Sequence, residues 1–167
     1  SVADDKRNSY LSLLRISDKI LAGFLYTKVV SATQDVDFTI EVGVNRIVSN
    51  AMEKDIIEVL GTLIDNALDA SDEENRKIKM YLSSRGSDTQ NAADDCLIFE
   101  IMNEHPPIPM SELTRFFERG YSTKSAKGNR GYGLYNARRI VKQYKGDITL
   151  ENRTIEGRNY ICFHIEL

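Results

Sequence analysis

Cysteine is scarce in this chain, basic surplus is missing, and no stretch is long and apolar enough to cross a membrane. Two cysteines, Cys96 and Cys162, occur in 167 residues. Each sits in an apolar, strand-like run, far from any CxxC spacing, which argues against a disulfide framework or a thiolate metal site. They read as small buried hydrophobes in a reducing compartment. No run of about 18 apolar residues exists, so no helix is expected to span a bilayer. The opening SVADDKRNSY is too polar for a secretory signal. Lys and Arg number 22 against 25 Asp and Glu, a formal net charge of −3. That leaves no basic face of the kind a nucleic-acid binder needs. No segment repeats. A start at Ser1 in helix-like sequence is expected of a piece of a longer chain.

What is present is ordinary for a globular protein: 41% hydrophobic and 28% charged residues. The length suffices for one compact domain and an appendage. Apolar residues at helical spacing (Tyr10, Leu13, Leu14, Ile20, Leu21, Phe24, Leu25) predict one long helix from Ser9 to Ala32. Asp35 to Val42 alternates with period two and predicts a strand. A helix follows from Glu53 to Ser71, then a strand from Lys77 to Ser83. Arg85 to Asp94 reads as a hairpin loop, and Cys96 to Met102 as a central strand, nearly all apolar. His105-Pro106-Pro107-Ile108-Pro109 cannot be regular structure, because proline removes donors and restricts its predecessor. A short helix is expected over Ser111–Phe117, a basic loop over Glu118–Arg130, and a helix over Gly131–Tyr144 with Gly146 as its C-cap. Two last strands, Asp147–Glu151 and Asn159–Leu167, should pair around Gly157. This order predicts a two-layer α/β (α+β) sandwich with a mixed, mostly antiparallel sheet.

Three elements carry candidate chemistry. On the helix over Glu53–Ser71, Leu60, Leu63, Ile64 and Ala67 share one side; Glu58, Thr62, Asp65, Asn66 and Asp69 share the opposite arc. The arc is either a solvated face or a site. Short Asn, Asp and Thr in place of better helix formers favour a site, as do the small residues Gly61, Ala67 and Ala70. The Asn66 carboxamide oxygen suits a hard cation such as Mg²⁺, which shares oxygen ligands with substrate phosphates. Asn103, just past the central strand, is either a turn former or a reader of adenine, accepting from the exocyclic amine and donating to a ring nitrogen. The third element is Phe116-Phe117-Glu118-Arg119-Gly120-Tyr121-Ser122-Thr123-Lys124, then Lys127-Gly128-Asn129-Arg130-Gly131-Tyr132-Gly133-Leu134. Glycines let backbone approach a phosphate, a helix N-terminus favours anions, and the basic side chains can close over a polyphosphate. It is neither a Walker A loop nor a GxGxxG fingerprint, because Asn136 stands where the third glycine belongs.

Together, in this order and spacing, these elements resemble the GHKL (Bergerat-fold) ATPases, above all those of sensor histidine kinases. Glu58-Val-Leu-Gly-Thr-Leu-Ile-Asp-Asn66-Ala-Leu-Asp-Ala70 resembles the N box, Phe116–Lys124 the F box and Gly131–Leu134 the second glycine box. Asn103-Glu-His-Pro-Pro-Ile108 occupies the place of the first glycine box. There Asn103 replaces the adenine-binding Asp, and His105 and Pro107 replace its glycines. Thr62 stands where hydrolytic relatives carry a catalytic Glu. These departures resemble the Agr-type quorum-sensing kinases.

The resemblance implies ATP and Mg²⁺ as cofactors and γ-phosphoryl transfer to a histidine outside this chain. It implies nucleotide contacts at Asn66, Ala67, Ala70, Asn103, Ile108, Lys124, Arg130, Gly131, Tyr132, Gly133 and Leu134. Metal binding would fall to Asn66 and catalysis to Glu58 and Asn66. Residues 1–33 would be the tail of a dimerisation helix and 34–167 the ATP-binding domain. The implied setting is the cytoplasmic domain of a membrane-bound sensor, homodimeric in full length. Its partners would be a histidine-bearing dimerisation domain and a response regulator, with no nucleic acid and no membrane contact by this segment. His105, beside prolines, and His164, in the last strand, do not fit a phosphoacceptor, so the chain is expected not to label itself. The competing readings are a GHKL serine kinase or ATPase, and a degenerate, non-catalytic interaction module.

Overall fold

The computed structural model describes residues 2–32, 36–86, 92–121 and 132–167. The N-terminal stretch is two helices, α1 (Val2–Leu14) and α2 (Lys19–Ser31), not the single helix expected. Asp18 is the reason. It takes an extended backbone, and its carboxylate accepts from the Ile20 and Leu21 amides as an N-cap, restarting the helix. Ser17 N–H meanwhile donates to the Asn45 carbonyl. The break turns Leu13, Ile16, Leu21, Leu25 and Val29 into the same core as the rest of the described residues.

Five strands follow: β1 (Asp37–Val42), β2 (Lys77–Arg85), β3 (Cys96–Glu104), β4 (Asp147–Ile155) and β5 (Arg158–Glu166). They form one sheet in the order β1-β2-β3-β5-β4. β1 and β2 are parallel and every other pair is antiparallel, the mixed sheet expected. The parallel pair is joined through helix α3 (Glu53–Ala70), as a parallel connection requires. β3 is the middle strand. Leu97, Phe99 and Ile101 point to one face and are buried there. Ile78, Met80 and Leu82 of β2 and Ile161, Phe163 and Ile165 of β5 point the same way and are buried too. α3 and α5 (Gly133–Gln143) supply the other layer, with Val59, Leu60, Leu63, Ile64, Ala137 and Val141 in the core.

Strand ends run further than expected. β3 continues through Asn103 and Glu104, because both pair with Ile161 and Tyr160 of β5. β4 and β5 meet at a two-residue turn in which Glu156 and Gly157 both have positive φ, 50° and 77°. That is the backbone a two-residue hairpin with right-handed strand twist needs. α5 ends differently from the expected Gly146 cap. Lys145 takes the left-handed conformation (φ 58°), with Lys145 N–H on the Lys142 carbonyl and Gly146 N–H on the Val141 carbonyl. Gly146 is required for space instead: a Cβ there would lie 2.3 Å from the Glu166 carbonyl oxygen. The segment between β2 and β3 contains a 3₁₀ turn at Ala92–Asp94, and the short helix α4 covers Met110–Leu113. No helix among the described residues is long and apolar enough to cross a membrane.

Candidate nucleotide-binding site

The inward row of β3 reads Leu97, Phe99, Ile101, Asn103: three apolar residues and then a carboxamide. Asn103 is 4% exposed, and its Nδ2 makes one long hydrogen bond, 3.5 Å, to the Glu104 carbonyl. Burying an amide with so little compensation costs free energy unless something else completes it. α3 ends beside it. There the helix's apolar side (Leu60, Leu63, Ile64, Ala67) is buried against the sheet. Asn66 and Ala70 remain half-buried at the edge.

Between these elements lies a cavity of about 530 Å³. Asn66 and Ala70 from α3, Asn103 from β3 and Ile108 from the proline-rich turn all line it. So do Phe116, beyond α4, and Ile161 and Phe163 of β5, which give it an apolar floor. The volume and the mixture of aromatic, aliphatic and a few convergent polar groups suit a nucleotide-sized ligand. Asp69, Ser71, Asp72, His105 and Glu112 complete the lining. Asp72 is held below the usual carboxylate range, chiefly by hydrogen bonds from the Asn75 amide and side chain. His105 Nδ1 donates to the Pro106 carbonyl at 2.7 Å. The Asn66 side chain has no hydrogen-bond partner among the described residues.

Other expected site residues lie elsewhere. Ala67 is 2% exposed in the core and does not reach the cavity lining. Gly61, expected to make room for a ligand, makes room for α2 instead: a Cβ there would sit 3.2 Å from the Phe24 ring. Glu58 is exposed on α3, off the cavity wall. Gly133 opens α5 against α3, where an added Cβ would meet Thr62 Cγ2 at 3.2 Å, and Leu134 packs into the core. Tyr132 is exposed beneath the Arg119 guanidinium, 5.7 Å from its ring centroid. Lys124, Arg130 and Gly131, with Lys127, lie outside the described residues.

Ser71, Asp72, Glu112, Ile161 and Phe163 escaped the sequence reading. The two β5 residues are indistinguishable from ordinary core until the register sets Ile161 opposite Asn103.

Residues 51–167 match the family model described as histidine kinase-, DNA gyrase B-, and HSP90-like ATPase. The sensor protein CitS of Bacillus subtilis (strain 168) is 31% identical over 109 residues, 65% of this chain and 18% of that protein. This chain therefore spans about a fifth of the length of that relative. The catalytic domain of the histidine kinase ThkA superposes over 88% of both chains with a TM-score of 0.64 at 26% identity. The same kinase, solved in complex with the response regulator TrrA, gives a TM-score of 0.57 over 90% of this chain and 40% of that one, at 19% identity. The chain belongs to the family of histidine kinase-, DNA gyrase B-, and HSP90-like ATPases.

Proposed function

We propose that the cavity binds ATP with Mg²⁺ and that the domain transfers the γ-phosphoryl group to a histidine outside this chain. The observation that carries this is the pair of carboxamides, Asn66 and Asn103, delivered to one cavity by separate elements. Asn103 would read the adenine edge, with Ile108, Phe116, Ile161 and Phe163 against the base and Ala70 beside it. Asn66 would give the metal one oxygen. Among the described residues no cluster of three or more His, Cys, Asp or Glu could hold a metal. That fits a Mg²⁺ that takes its remaining ligands from phosphates and water. When bound, the cation neutralises charge on the transferred group; the chain's own part is positioning and electrostatic stabilisation. Lys124, Arg130 and the amides of Gly131 and Gly133 would hold the phosphates, and Glu58 would orient a group beside the metal.

The wider reading extends to the whole protein. Residues 1–33 would be the tail of a dimerisation helix and 34–167 the ATP-binding domain. Leu11, Leu14, Ile20, Tyr26 and Val30 stand more than half exposed on α1 and α2, which supports contact with a further surface such as a homodimer. A response regulator partner is supported by the ThkA–TrrA complex. The setting would be the cytoplasmic domain of a membrane-bound sensor. The Agr-type, quorum-sensing affiliation rests on Asn103, His105 and Pro107; the CitS likeness does not add to it.

Calorimetry with ATP tests the reading, with and without Mg²⁺. A dissociation constant of about 1 µM to 1 mM is expected, corresponding to roughly −8 to −4 kcal/mol. Asn66→Ala should remove the Mg²⁺-dependent part of the affinity. Asn103→Ala should weaken both conditions about ten- to a hundredfold. Absence of binding would favour the second reading, a non-catalytic module, for which the loss of backbone donors at Pro106, Pro107 and Pro109 speaks. Radiolabelled ATP should leave no phosphate on this chain.

A further inference from the structure

The turn that walls the cavity is short of backbone donors. Between His105 and Met110 only Ile108 has an N–H, since residues 106, 107 and 109 are prolines. That one donor is taken from outside the cavity. Ile108 N–H donates to Asn152 Oδ1 at 3.0 Å, and Asn152 Nδ2 donates back to the Ile108 carbonyl at 2.8 Å. A single carboxamide thus holds both polar groups of Ile108, as a neighbouring strand would. Asn159 extends the hold. Its Nδ2 reaches the His105 carbonyl at 2.9 Å and Asn152 Oδ1 at 3.2 Å, while its own carbonyl accepts from His105 N–H at 3.1 Å. Register explains why asparagine stands there. Asn103, Ile161 and Asn152 lie opposite one another across β3, β5 and β4. Asn152 therefore continues the inward row of Ile148 and Leu150, at the same end of the sheet as Asn103.

We propose that Asn152 is a positioning residue of the nucleotide site: it fixes the Ile108 wall, so that the base meets a rigid apolar plate despite the missing glycines. This deepens the ATP reading above and rests on it. No backbone donor of residues 106–109 is left for a nucleotide, so the wall acts through the Ile108 side chain, and its placement is set from the β4–β5 hairpin.

The test is a double-mutant cycle on ATP·Mg²⁺ affinity, with Asn152→Ala, Ile108→Ala and the double variant of this chain, read beside the exchange rate of the Ile108 amide. Asn152→Ala should weaken binding about tenfold, the worth of one or two hydrogen bonds, and speed exchange at Ile108. The double variant should bind no more weakly than Ile108→Ala. Asn152→Asp keeps the size and one acceptor but turns a carboxylate oxygen toward the Ile108 carbonyl. It should lose at least as much affinity with little change in Tm, and it covers the case in which the alanine variant misfolds. Unchanged affinity in folded Asn152 variants, or losses that simply add in the double variant, would overturn the proposal and leave the ATP reading standing. If the wild-type chain binds no ATP, the functional reading fails instead. The Ile108 amide then decides whether Asn152 holds the wall, and unchanged protection in the variants overturns that as well.

Discussion

The two faces of the sheet handle polar side chains in opposite ways. On the outer face most of them pair with one another, Asp37 Oδ1 on the edge strand β1 being buried without a partner among the described residues. Arg153 reaches Glu100 at 3.1 Å and Glu151 at 2.6 Å, His164 sits between Glu100 (3.5 Å) and Glu166 (3.7 Å), and Arg85 meets Glu166 at 2.8 Å. Even the Cys162 thiol donates to Glu100, at 3.4 Å, and burial pushes its pKa up to about 12, which keeps it an inert thiol. On the inner face nearly everything is apolar; Ser84 at one end is satisfied by the Val48 N–H and the Arg46 carbonyl, and the other polar exceptions stand at the opposite end. Asn103 and Asn66 are poorly partnered there and face a cavity. Polar groups that satisfy each other make a surface; polar groups left short of partners in a partly buried place make a binding site. That contrast separates His164, set between the Glu100 and Glu166 carboxylates, from Asn103.

The contrast breaks most visibly in the core. Phe99→Ala removes a fully buried ring from the centre of the inner face and should cost about 3–5 kcal/mol in denaturant unfolding. Thr149→Ala, on the exposed outer face of β4, should stay within about 0.5 kcal/mol. Similar losses at both positions would mean that the outer face is packed, not solvated.

The outer face has one deeper pair. The Glu104 side chain is 4% exposed and meets Arg158 Nη1 at 2.7 Å, while the arginine side chain stays 59% exposed. Removing Arg158 strands a buried carboxylate, but water reaches the vacated side, so the cost should fall to about 1–2 kcal/mol, well under that of a fully enclosed pair. Glu104→Gln in the Arg158→Ala background should restore part of it. Chemical denaturation of the four proteins in that cycle checks this, and full additivity would show that the two side chains do not stabilise each other.

Much of this was legible in the sequence, for physical reasons that differ from place to place. α3 declares itself by period, because packing forces apolar residues on a helix face to recur at 3.6, and the central strand β3 by its nearly unbroken apolar run. The N-terminal helix was misjudged because period alone cannot see a cap: the apolar positions continue in phase across Ser17-Asp18, and only the Asp18 carboxylate on the Ile20 and Leu21 amides marks the break. Gly61 and Ala70 look alike as small residues on a helix, yet one admits Phe24 and the other a cavity, a distinction only tertiary packing makes. Asn103 stood out through chemistry, being polar at the end of an apolar row. Asn152 did not, since its partner is a backbone 44 residues away and nothing local requires it.

The smallest expected effect tests whether the outer lattice acts through charge at all. Glu166 is held below the usual carboxylate range first by the Arg85 hydrogen bond, against burial that pushes it up. A folded-state pKa below the unfolded one means stability that is present above the ordinary carboxylate range and is lost as pH falls through the folded value. The arginine is exposed and the carboxylate only half-buried, so solvent screens the pair and its contribution near neutral pH should be small. Arg85→Ala should therefore lower Tm slightly at pH 7, and the deficit should vanish as pH falls through the lowered folded-state pKa of Glu166. The neutral-pH difference should shrink in about 1 M salt, because screening acts on exposed charges. An Arg85→Ala deficit that persists unchanged in acid and in salt would assign the arginine's contribution to the packing of its stem beside Cys96, its partner across the β2–β3 register, and not to its charge.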